Sequence, residues 1–427
     1  MQDLLDPLLD ASFKGYPHTS APLRRSQIGV QGWNLLDGDL PLPLAVVRQR
    51  DVQHNLGWMQ RLASAHGVDM APHGKTTMSP QLFKRQLDAG AWGLTLAHVN
   101  QLHAAVAAGA RCCLIANQVF APADLSGIQN LLHHKPGLRV PFLVDSVAQL
   151  ALIEAWFGAQ APASLVPFEV LLEIGVSGGR TGCRQLEGAL ALAQRLHASA
   201  ACQLVGIECY EGLGATGESA ADETYASALM QRVAEVARAC DQHHWFDSPE
   251  VLLSAGGSAI FDLVVPCLRP QLSRPVRGLL RSGCYVTHDH GFYKRMVAAV
   301  NTRLRCQDGL QPALEVWTAV QSCPEPGLVI LNAGRRDLSY DMGLPTPIHV
   351  CPRGTRTVRP APPDWSISAL NDQHAYLRGS GPEHAALQVG DRVALGISHP
   401  CTTFDKWRWM PLVDDDYRVC DALVTWF

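Results

Sequence analysis

Residues 69–80 read DMAPHGKTTMSP and place Lys75 inside a Gly-Lys-Thr triplet. A phosphate-binding P-loop also ends in this triplet, but it needs a glycine five positions before the second glycine. Here Asp69 stands at that position, and Pro72 lacks one of the N–H groups that would wrap a phosphate. A short extended segment precedes the triplet, and an apolar helical pattern follows it over residues 79–89. The stretch predicts a lysine just after a strand; a surface lysine in a βα loop is the alternative.

The alternation of strand and helix continues to about residue 290. Eight strands are predicted, at Asp69–Pro72, Trp92–Ala97, Cys112–Ala116, Val140–Asp145, Phe168–Ile174, Gln203–Cys209, Val251–Ser254 and Gly278–Cys284. They are continuous apolar runs, which is typical of parallel strands covered on both faces. Helical patterns such as ETYASALMQRVAEVARAC lie between most of them. Eight such units predict an α/β fold with a (β/α)8 TIM-type barrel.

The pattern changes after about residue 295. The segments LEVWTAVQSC, GLVILNAG and DRVALGIS indicate β-strands, separated by many prolines and glycines and with little helical periodicity. We therefore predict a barrel over residues 46–294 and a C-terminal β domain over residues 295–427. Residues 1–45 are expected to join the β domain in part.

Composition narrows the function classes. The net charge is only −4, which indicates neither a nucleic-acid nor a membrane-surface partner. No run approaches 18 apolar residues, and the acidic first residues lack a signal-peptide pattern. The 13 cysteines show no tight framework spacing, so a reduced, cytoplasmic protein is expected. A hydrophobic fraction of 47% supports a substantial core.

In a barrel of this kind, chemistry takes place at the C-terminal ends of the strands. Reading those ends in order yields five candidate side chains: His73, Lys75, Arg180, Tyr210 and Tyr285. The seventh strand end, SAGGSAIFD, is glycine-rich and lies where such barrels commonly bind phosphate, although an ordinary tight loop would look the same. A lysine at one end, an arginine at another and a phosphate cradle at a third suggest pyridoxal 5'-phosphate.

Eight short segments follow one another along the chain, namely PHGKT, EIGVSGGRTG, LVGIECYEG, SAGGS, RSGCYV, LNAGRRDLSYDMG, LNDQHAYL and GISHPCTTFDKW. In these segments the sequence resembles the D-threonine aldolase and D-serine dehydratase family of alanine-racemase-like (fold type III) pyridoxal phosphate enzymes. It is most similar to bacterial members labelled amino acid deaminase, over about residue 43 to the C-terminus.

The resemblance implies roles by position. Lys75 would be the Schiff-base lysine and the base at the substrate α-carbon, Arg180 would approach the pyridine nitrogen, and Tyr210 would lie beside the ring. His73 is a further cofactor contact, and Thr76, Gln373 and His374 are substrate candidates. The phosphate would be held by a group of small residues and one tyrosine, namely Ser254, Gly256, Gly257, Ser258, Gly283 and Tyr285.

Several positions depart from the family pattern. Ala71 stands where the family has an arginine, Thr77 and Met78 stand where it has His-Lys, and Leu213 lies near the usual place of a histidine. These losses, together with Trp407 and Trp409 near the C-terminus, suggest a substrate larger or more apolar than serine.

A metal site is suggested by His399 and Cys401 in the segment SHPC. With 17 His and 13 Cys, about half an H-x-C is expected by chance, so the spacing alone proves nothing. The resemblance implies a metal pair there, binding Zn²⁺ or another divalent metal. It also implies dehydration, because the dehydratase members have His-x-Cys and the aldolases typically have His-x-Asp. The THDHG cluster, residues 287–291, is a weaker candidate for a second metal.

These observations predict a lyase: a dehydratase (deaminase) that converts a D-3-hydroxy amino acid of the serine, threonine or phenylserine type to a 2-oxo acid and ammonia. An aldolase that releases glycine and an aldehyde is the first alternative, and a metal-free amino acid racemase is the second. A non-catalytic carrier of the cofactor is the third, but such small barrel proteins lack a C-terminal β domain. A homodimer with its active site near the interface is expected by analogy.

Overall fold

A computed structural model of the chain describes residues 2–160 and 165–427. The helices of this part of the chain are α1 Gln2–Leu5, α2 Gln49–Ala65, α3 Pro80–Asp88, α4 Leu102–Ala107, α5 Pro122–His134, α6 Val147–Gly158, α7 Leu186–His197, α8 Ser219–Gln242, α9 Phe261–Val264, α10 Phe292–Leu304, α11 Gly381–Ala385 and α12 Cys401–Phe404. None of these helices combines the length and apolar character needed to cross a membrane.

Eight parallel strands form the first large sheet. After β1 Leu8–Leu9, β2 Leu23–Arg24 and β3 Leu44–Arg48, they are β4 Asp69–Met70, β5 Leu94–Leu96, β6 Cys113–Gln118, β7 Phe142–Val144, β8 Phe168–Ile174, β9 Cys202–Cys209, β10 Val251–Ala255 and β11 Val276–Leu280. Their spatial order is β4-β11-β10-β9-β8-β7-β6-β5. A parallel bridge between His73 and Thr95 brings the chain after β4 back to β5 and closes the barrel. The predicted TIM-type barrel is confirmed.

The barrel interior is filled by side chains, as expected for a barrel of eight strands. One residue from each of seven strands or strand ends forms a separate apolar cluster, consisting of Ala71, Leu114, Leu143, Leu171, Val205, Leu252 and Leu279. All seven are at most 2% exposed. The space for chemistry is therefore above this layer, at the strand ends.

The strand predictions were accurate in number and less so at the ends. The eighth strand was predicted at 278–284 but lies at Val276–Leu280. A 3-10 turn at Cys284–Val286 follows it, so the SGC segment is a loop and not part of the strand. The helix predicted after Lys75 is α3, which begins at Pro80, a residue that suits the first helical position because it needs no amide hydrogen bond there.

The second large sheet is mainly antiparallel. Its remaining strands are β12 Leu314–Glu325, β13 Leu328–Leu331, β14 Thr346–Cys351, β15 Arg359–Pro360, β16 Ser366–Leu370, β17 Ala375–Arg378, β18 Arg392–Gly396, β19 Trp409–Val413 and β20 Val419–Val424. The N-terminal strand β3 pairs with β12 and β19 and so belongs to this sheet. The predicted C-terminal β domain is confirmed as a fold, and its boundaries at residues 45 and 294 stay predictions.

Hydrogen bonds join the two sheets next to the strand ends. The N–H of Ala313 donates to Thr287 O at 2.7 Å, and the N–H of His290 donates to Ile397 O at 3.0 Å. The segment after β11 is thus attached to the segment after β18. This attachment places residues 399–401 beside the mouth of the barrel.

Candidate active site

A cavity of about 210 Å³ lies at the C-terminal ends of the barrel strands. Most of the predicted site residues line it. From the barrel strand ends these are His73, Lys75, Thr76, Arg180, Tyr210, Gly256, Gly257, Ser258 and Gly283, and from the second sheet they are His399 and Cys401. We call the first group the barrel half of the cavity and the group of Asp341, His399 and Cys401 the sheet half.

Lys75 lies in a 3-10 turn, Gly74–Thr76, directly after the first barrel strand. The turn packs tightly, because a Cβ at Gly74 would lie 2.7 Å from the Phe83 ring. The Lys75 side chain is exposed to the cavity. His73 beside it is different: its Nδ1 is buried without a hydrogen-bond partner among the described residues. Burial, and then the charge of Lys75, hold the pKa of His73 well below its usual range, so the imidazole is neutral.

Arg180 and Tyr210 stand together on the next part of the wall. The guanidinium carbon of Arg180 lies 5.2 Å from the centroid of the Tyr210 ring, a cation–π contact. Burial raises the pKa of Tyr210 to about 12, so the phenol stays protonated at neutral pH. An arginine at this place keeps its proton.

Backbone N–H groups after β10 and β11 differ in whether they have a hydrogen-bond partner. The N–H groups of Gly256 and Gly257 donate to the buried carboxylate of Glu211. By contrast, the N–H groups of Ser258, Gly283 and Cys284 donate to no other group of the described chain. These three residues line the cavity. Unpaired amides at a cavity wall are able to donate to an anion such as a phosphate.

A buried ion pair forms the floor. Arg281, 4% exposed, donates to Glu208, 1% exposed, and also to the carbonyl of Cys209 at 2.9 Å. Burial raises the pKa of Glu208 to about 8, and Arg281 offsets part of that rise. In the family pattern described above, an arginine stands at the position of Ala71. Ala71 packs in the barrel interior, and the adjacent strand β11 is followed by Arg281, which supplies an arginine to the cavity.

In the sheet half, His399 is held by a carboxylate. Its Nδ1 lies 2.7 Å from Asp341 Oδ2, and Thr402 donates to the other oxygen of the same carboxylate at 2.7 Å. Burial opposes the charge of His399, but Cys401 and Asp341 together raise its pKa to about 9. The arrangement leaves Nε2 of His399 as the nitrogen available to a metal.

Cys401 lies close to the barrel half. Its sulfur is 3.5 Å from Thr76 Oγ1 and 3.6 Å from the sulfur of Cys284. The hydrogen bond with Cys284 comes first among the causes that hold the pKa of Cys401 well below the usual thiol range, and His399 adds to it. An imidazole nitrogen and a thiolate fit zinc. Among the described residues no group of three or more His, Cys, Asp or Glu side chains is arranged to hold a metal, so the pair would be an open site.

Four predicted residues do not line the cavity. Ser254 is 1% exposed and donates to Leu279 O at 3.3 Å, because its side chain points within the sheet. Tyr285 is buried against Gln86, whose amide donates to the phenol at 3.4 Å. Gln373 and His374 are exposed on the turn between β16 and β17. The predicted contacts of these four with cofactor or substrate stay predictions.

Trp407 and Trp409 do not support the predicted large substrate, because both are buried. Trp407 is 1% exposed and donates from its indole to Asp337 O at 2.7 Å. Trp409 is fully buried and donates to Lys14 O at 2.9 Å. Both are core residues of the second sheet and not part of the cavity wall.

Sequence reasoning missed several residues of the site, namely Asn117, Arg281, Cys284, Tyr293 and Asp341. Tyr293 comes from the first turn of α10, and its ring centroid is 6.3 Å from that of His399. Burial raises its pKa far above the usual value, so it is a neutral hydroxyl donor. The motifs RSGCYV and LNAGRRDLSYDMG contain three of the five residues, and they were the available signal.

Models of known protein families match most of the chain. The model described as "Alanine racemase, N-terminal domain" matches residues 47–274, which is more than half of the chain. The chain belongs to the alanine racemase family. A second model, "Putative serine dehydratase domain", matches residues 313–413 and so covers most of the second sheet together with His399 and Cys401.

Three relatives of this alanine-racemase-like chain are informative. It is 27% identical to a D-threonine aldolase of Arthrobacter sp, with 87% of this chain and 89% of the relative covered. It is 27% identical to the D-threo-3-hydroxyaspartate dehydratase of Delftia sp. (strain HT23), with 85% and 92% covered. The solved D-threonine aldolase of Filomicrobium marinum has a TM-score of 0.77 at 21% identity, with 92% and 97% covered, and shows the same fold. The predicted family is confirmed, and these relatives are lyases, as predicted for this chain.

Proposed function

We propose that this protein is a pyridoxal phosphate- and zinc-dependent dehydratase that converts a D-3-hydroxy amino acid to a 2-oxo acid and ammonia. One observation carries the proposal: Cys401 of the His-x-Cys pair lies 3.5 Å from Thr76, the residue next to Lys75. A lysine for a carbonyl cofactor and a pair of zinc ligands therefore open into one cavity.

The residues present fit pyridoxal phosphate. Lys75 offers the amine, the unpaired amides of Ser258, Gly283 and Cys284 offer donors for the phosphate, and Arg180 lies across the cavity wall. A Cβ at Gly283 would lie 2.6 Å from His73 O and 2.6 Å from Thr76 Oγ1. A side chain at position 283 would therefore force this loop away from His73 and Thr76, whereas glycine allows the close approach. When bound, the cofactor supplies an electron sink for charge that develops at the substrate α-carbon.

The side chains divide the remaining work between the two halves. Lys75 is placed to take the proton from the α-carbon on the barrel side. His399 and Cys401 would hold zinc, which as a Lewis acid stabilises a departing hydroxide. Asp341 fixes the orientation of His399, and Tyr293 presents a neutral hydroxyl beside that ring. A substrate whose 3-hydroxyl group lies between Lys75 and the metal pair would contact all of these groups.

Aldol cleavage is the second candidate, and the likeness to D-threonine aldolase favours it. It would use the same cavity but needs a base for the 3-hydroxyl proton. Within the described chain His399 is held by Asp341, Tyr293 stays protonated, and His73 stands on the barrel side. None of these three groups is a free base on the sheet half, which supports dehydration.

Product analysis tests the proposal. The purified protein is incubated with pyridoxal phosphate, zinc and D-3-phenylserine, and ammonia, 2-oxo acid, glycine and benzaldehyde are measured in one reaction. Ammonia and 2-oxo acid in equal amounts are expected, whereas glycine and benzaldehyde would establish the aldolase alternative. Retention of full activity in His399→Ala would favour a racemase. The proposal also includes a homodimer, which sedimentation of the holoenzyme checks.

A further inference from the structure

Glu211 is a buried carboxyl group without an assigned role. It is 0% exposed, follows Tyr210 at the end of β9, and does not line the cavity. Its two oxygens accept the N–H groups of two consecutive residues of another strand end, Gly256 at 3.0 Å and Gly257 at 2.5 Å. Consecutive peptides whose N–H groups point to one carboxylate have a defined orientation.

The orientation matters because these two glycines line the cavity while their N–H groups point away from it. The loop is also held from the other side, since Ser282 donates from its hydroxyl to Gly257 O at 2.6 Å. Gly256 has a φ of +113°, a backbone conformation that suits glycine. Between these two attachments the chain turns, and the next residue, Ser258, faces the cavity with an unpaired amide.

The contact between the two strand ends is close. A Cβ at Gly257 would lie 3.1 Å from the Tyr210 ring and 3.3 Å from the Glu211 carboxylate. Tyr210 therefore packs on the cavity side of this loop, and Glu211 holds it from behind. The loop position is determined by β9 as well as by β10.

We propose that Glu211 is a positioning residue for the cofactor phosphate, which acts by turning the Gly256–Gly257 loop so that Ser258 faces the phosphate. The assignment rests on the proposed binding of pyridoxal phosphate and deepens it. Glutamine at this position keeps the shape but replaces one acceptor by a donor, which then opposes a glycine N–H.

The test is cofactor affinity, measured without turnover. Apo wild-type protein and Glu211→Gln are titrated with pyridoxal phosphate and, separately, with pyridoxal, which lacks the phosphate, and the absorbance change on Lys75 gives both Kd values. Because Glu211→Gln removes one of the two acceptors that orient the loop, the Kd of pyridoxal phosphate should rise about tenfold or more. The Kd of pyridoxal should change less than about twofold, since it makes no phosphate contact.

The chain offers a matched control. Asp222 is likewise 0% exposed and accepts two consecutive amides, from Thr216 at 2.7 Å and Gly217 at 3.0 Å, at a turn outside the cavity. Asp222→Asn should lose a similar amount of thermal stability and keep both Kd values. If Glu211→Gln does not fold, Glu211→Asp decides, because its shorter side chain keeps the charge but cannot reach both amides.

Three results would overturn the proposal: an unchanged Kd for pyridoxal phosphate in a folded variant, an equal loss for both ligands, or tighter binding of pyridoxal phosphate. The last would mean that the carboxylate repels the phosphate. Failure of the wild-type protein to bind pyridoxal phosphate would instead refute the proposed function, so the two failures are distinguishable.

Discussion

The two halves of the cavity differ in how they are built. The barrel half comes from the ends of strands that are neighbours in one hydrogen-bonded sheet. When that sheet closes into a barrel, the side chains at the strand ends come together at its mouth. The sheet half comes from a different sheet, and its contact between Cys401 and Thr76 spans 325 positions of sequence. The barrel half is a property of a local repeating unit, whereas the sheet half depends on how two separate sheets are attached. Their functions should therefore be separable by mutation.

The largest expected effect is in the barrel half. Lys75→Ala should abolish both the visible cofactor absorbance and turnover, because the amine is the proposed attachment point and base. Zinc content, measured by atomic absorption, should remain close to the wild-type value. Lys84→Ala is the matched control, since Lys84 is an exposed lysine paired with Asp88 on α3. A yellow, active Lys75→Ala protein would contradict the assignment of the barrel half.

The next effect is expected in the sheet half. His399→Ala should lose zinc and reduce kcat by about a hundredfold or more, because several kcal/mol of charge stabilisation are removed. The cofactor absorbance should persist. His133→Ala, an exposed histidine outside the cavity, serves as the control and should keep both zinc and activity. Loss of cofactor absorbance in His399→Ala would mean that the two halves are not independent.

Asp341 provides a finer test of the sheet half. Asp341→Asn should weaken zinc binding about 10–100-fold, because the carboxylate 2.7 Å from His399 Nδ1 fixes the ring and strengthens its basicity. Competition with a chelator measures the affinity. Asp372→Asn, at an exposed position, is the comparison variant. Equal zinc affinity in Asp341→Asn and wild type would show that the ring is held by packing alone.

The last prediction concerns stability rather than activity, at the attachment between the halves. Burial lowers the pKa of His288 to about 4 and that of His290 to about 3, from 6.5. Between pH 6.5 and these lowered pKa values, the unfolded chain binds protons that the folded chain does not. The free energy of unfolding should therefore fall as the pH falls from about 6.5 to 4. Each pKa unit corresponds to about 1.4 kcal/mol.

Urea denaturation at several pH values measures this loss. The variant His288→Asn, His290→Gln should have a flatter acid limb; asparagine suits position 288 because His288 has a φ of +47°. His133→Gln, His134→Gln removes two exposed histidines and should leave the acid limb unchanged. An unchanged limb in the first variant would place the acid-sensitive groups elsewhere.

Prediction from sequence succeeded where residues repeat a local unit. Continuous apolar strands and amphipathic helices predicted eight barrel units, and catalytic candidates followed from the strand ends. It could not place residues whose position depends on loop direction. Ser254 was assigned to the phosphate and points into the sheet, and Gln373 and His374 were assigned to the substrate and lie on an exposed turn.

The glycine loop shows the same limit at smaller scale. SAGGS identified a tight turn, but its sequence does not say on which side the N–H groups emerge. The structure directs two of them to Glu211, so the proposed phosphate donors are Ser258, Gly283 and Cys284.

By itself the sequence predicted the barrel from apolar periodicity, and the resemblance carried by its short motifs added Lys75 and the His-x-Cys pair as candidates, because periodicity and motifs are local properties of a chain. Only the tertiary structure decided that Cys401 meets Thr76, that Asp341 holds His399, and that Glu211 stands behind the glycine loop. Each of these is a contact between side chains far apart in sequence. Such contacts depend on the packing of whole elements against one another, which no local pattern of residues records.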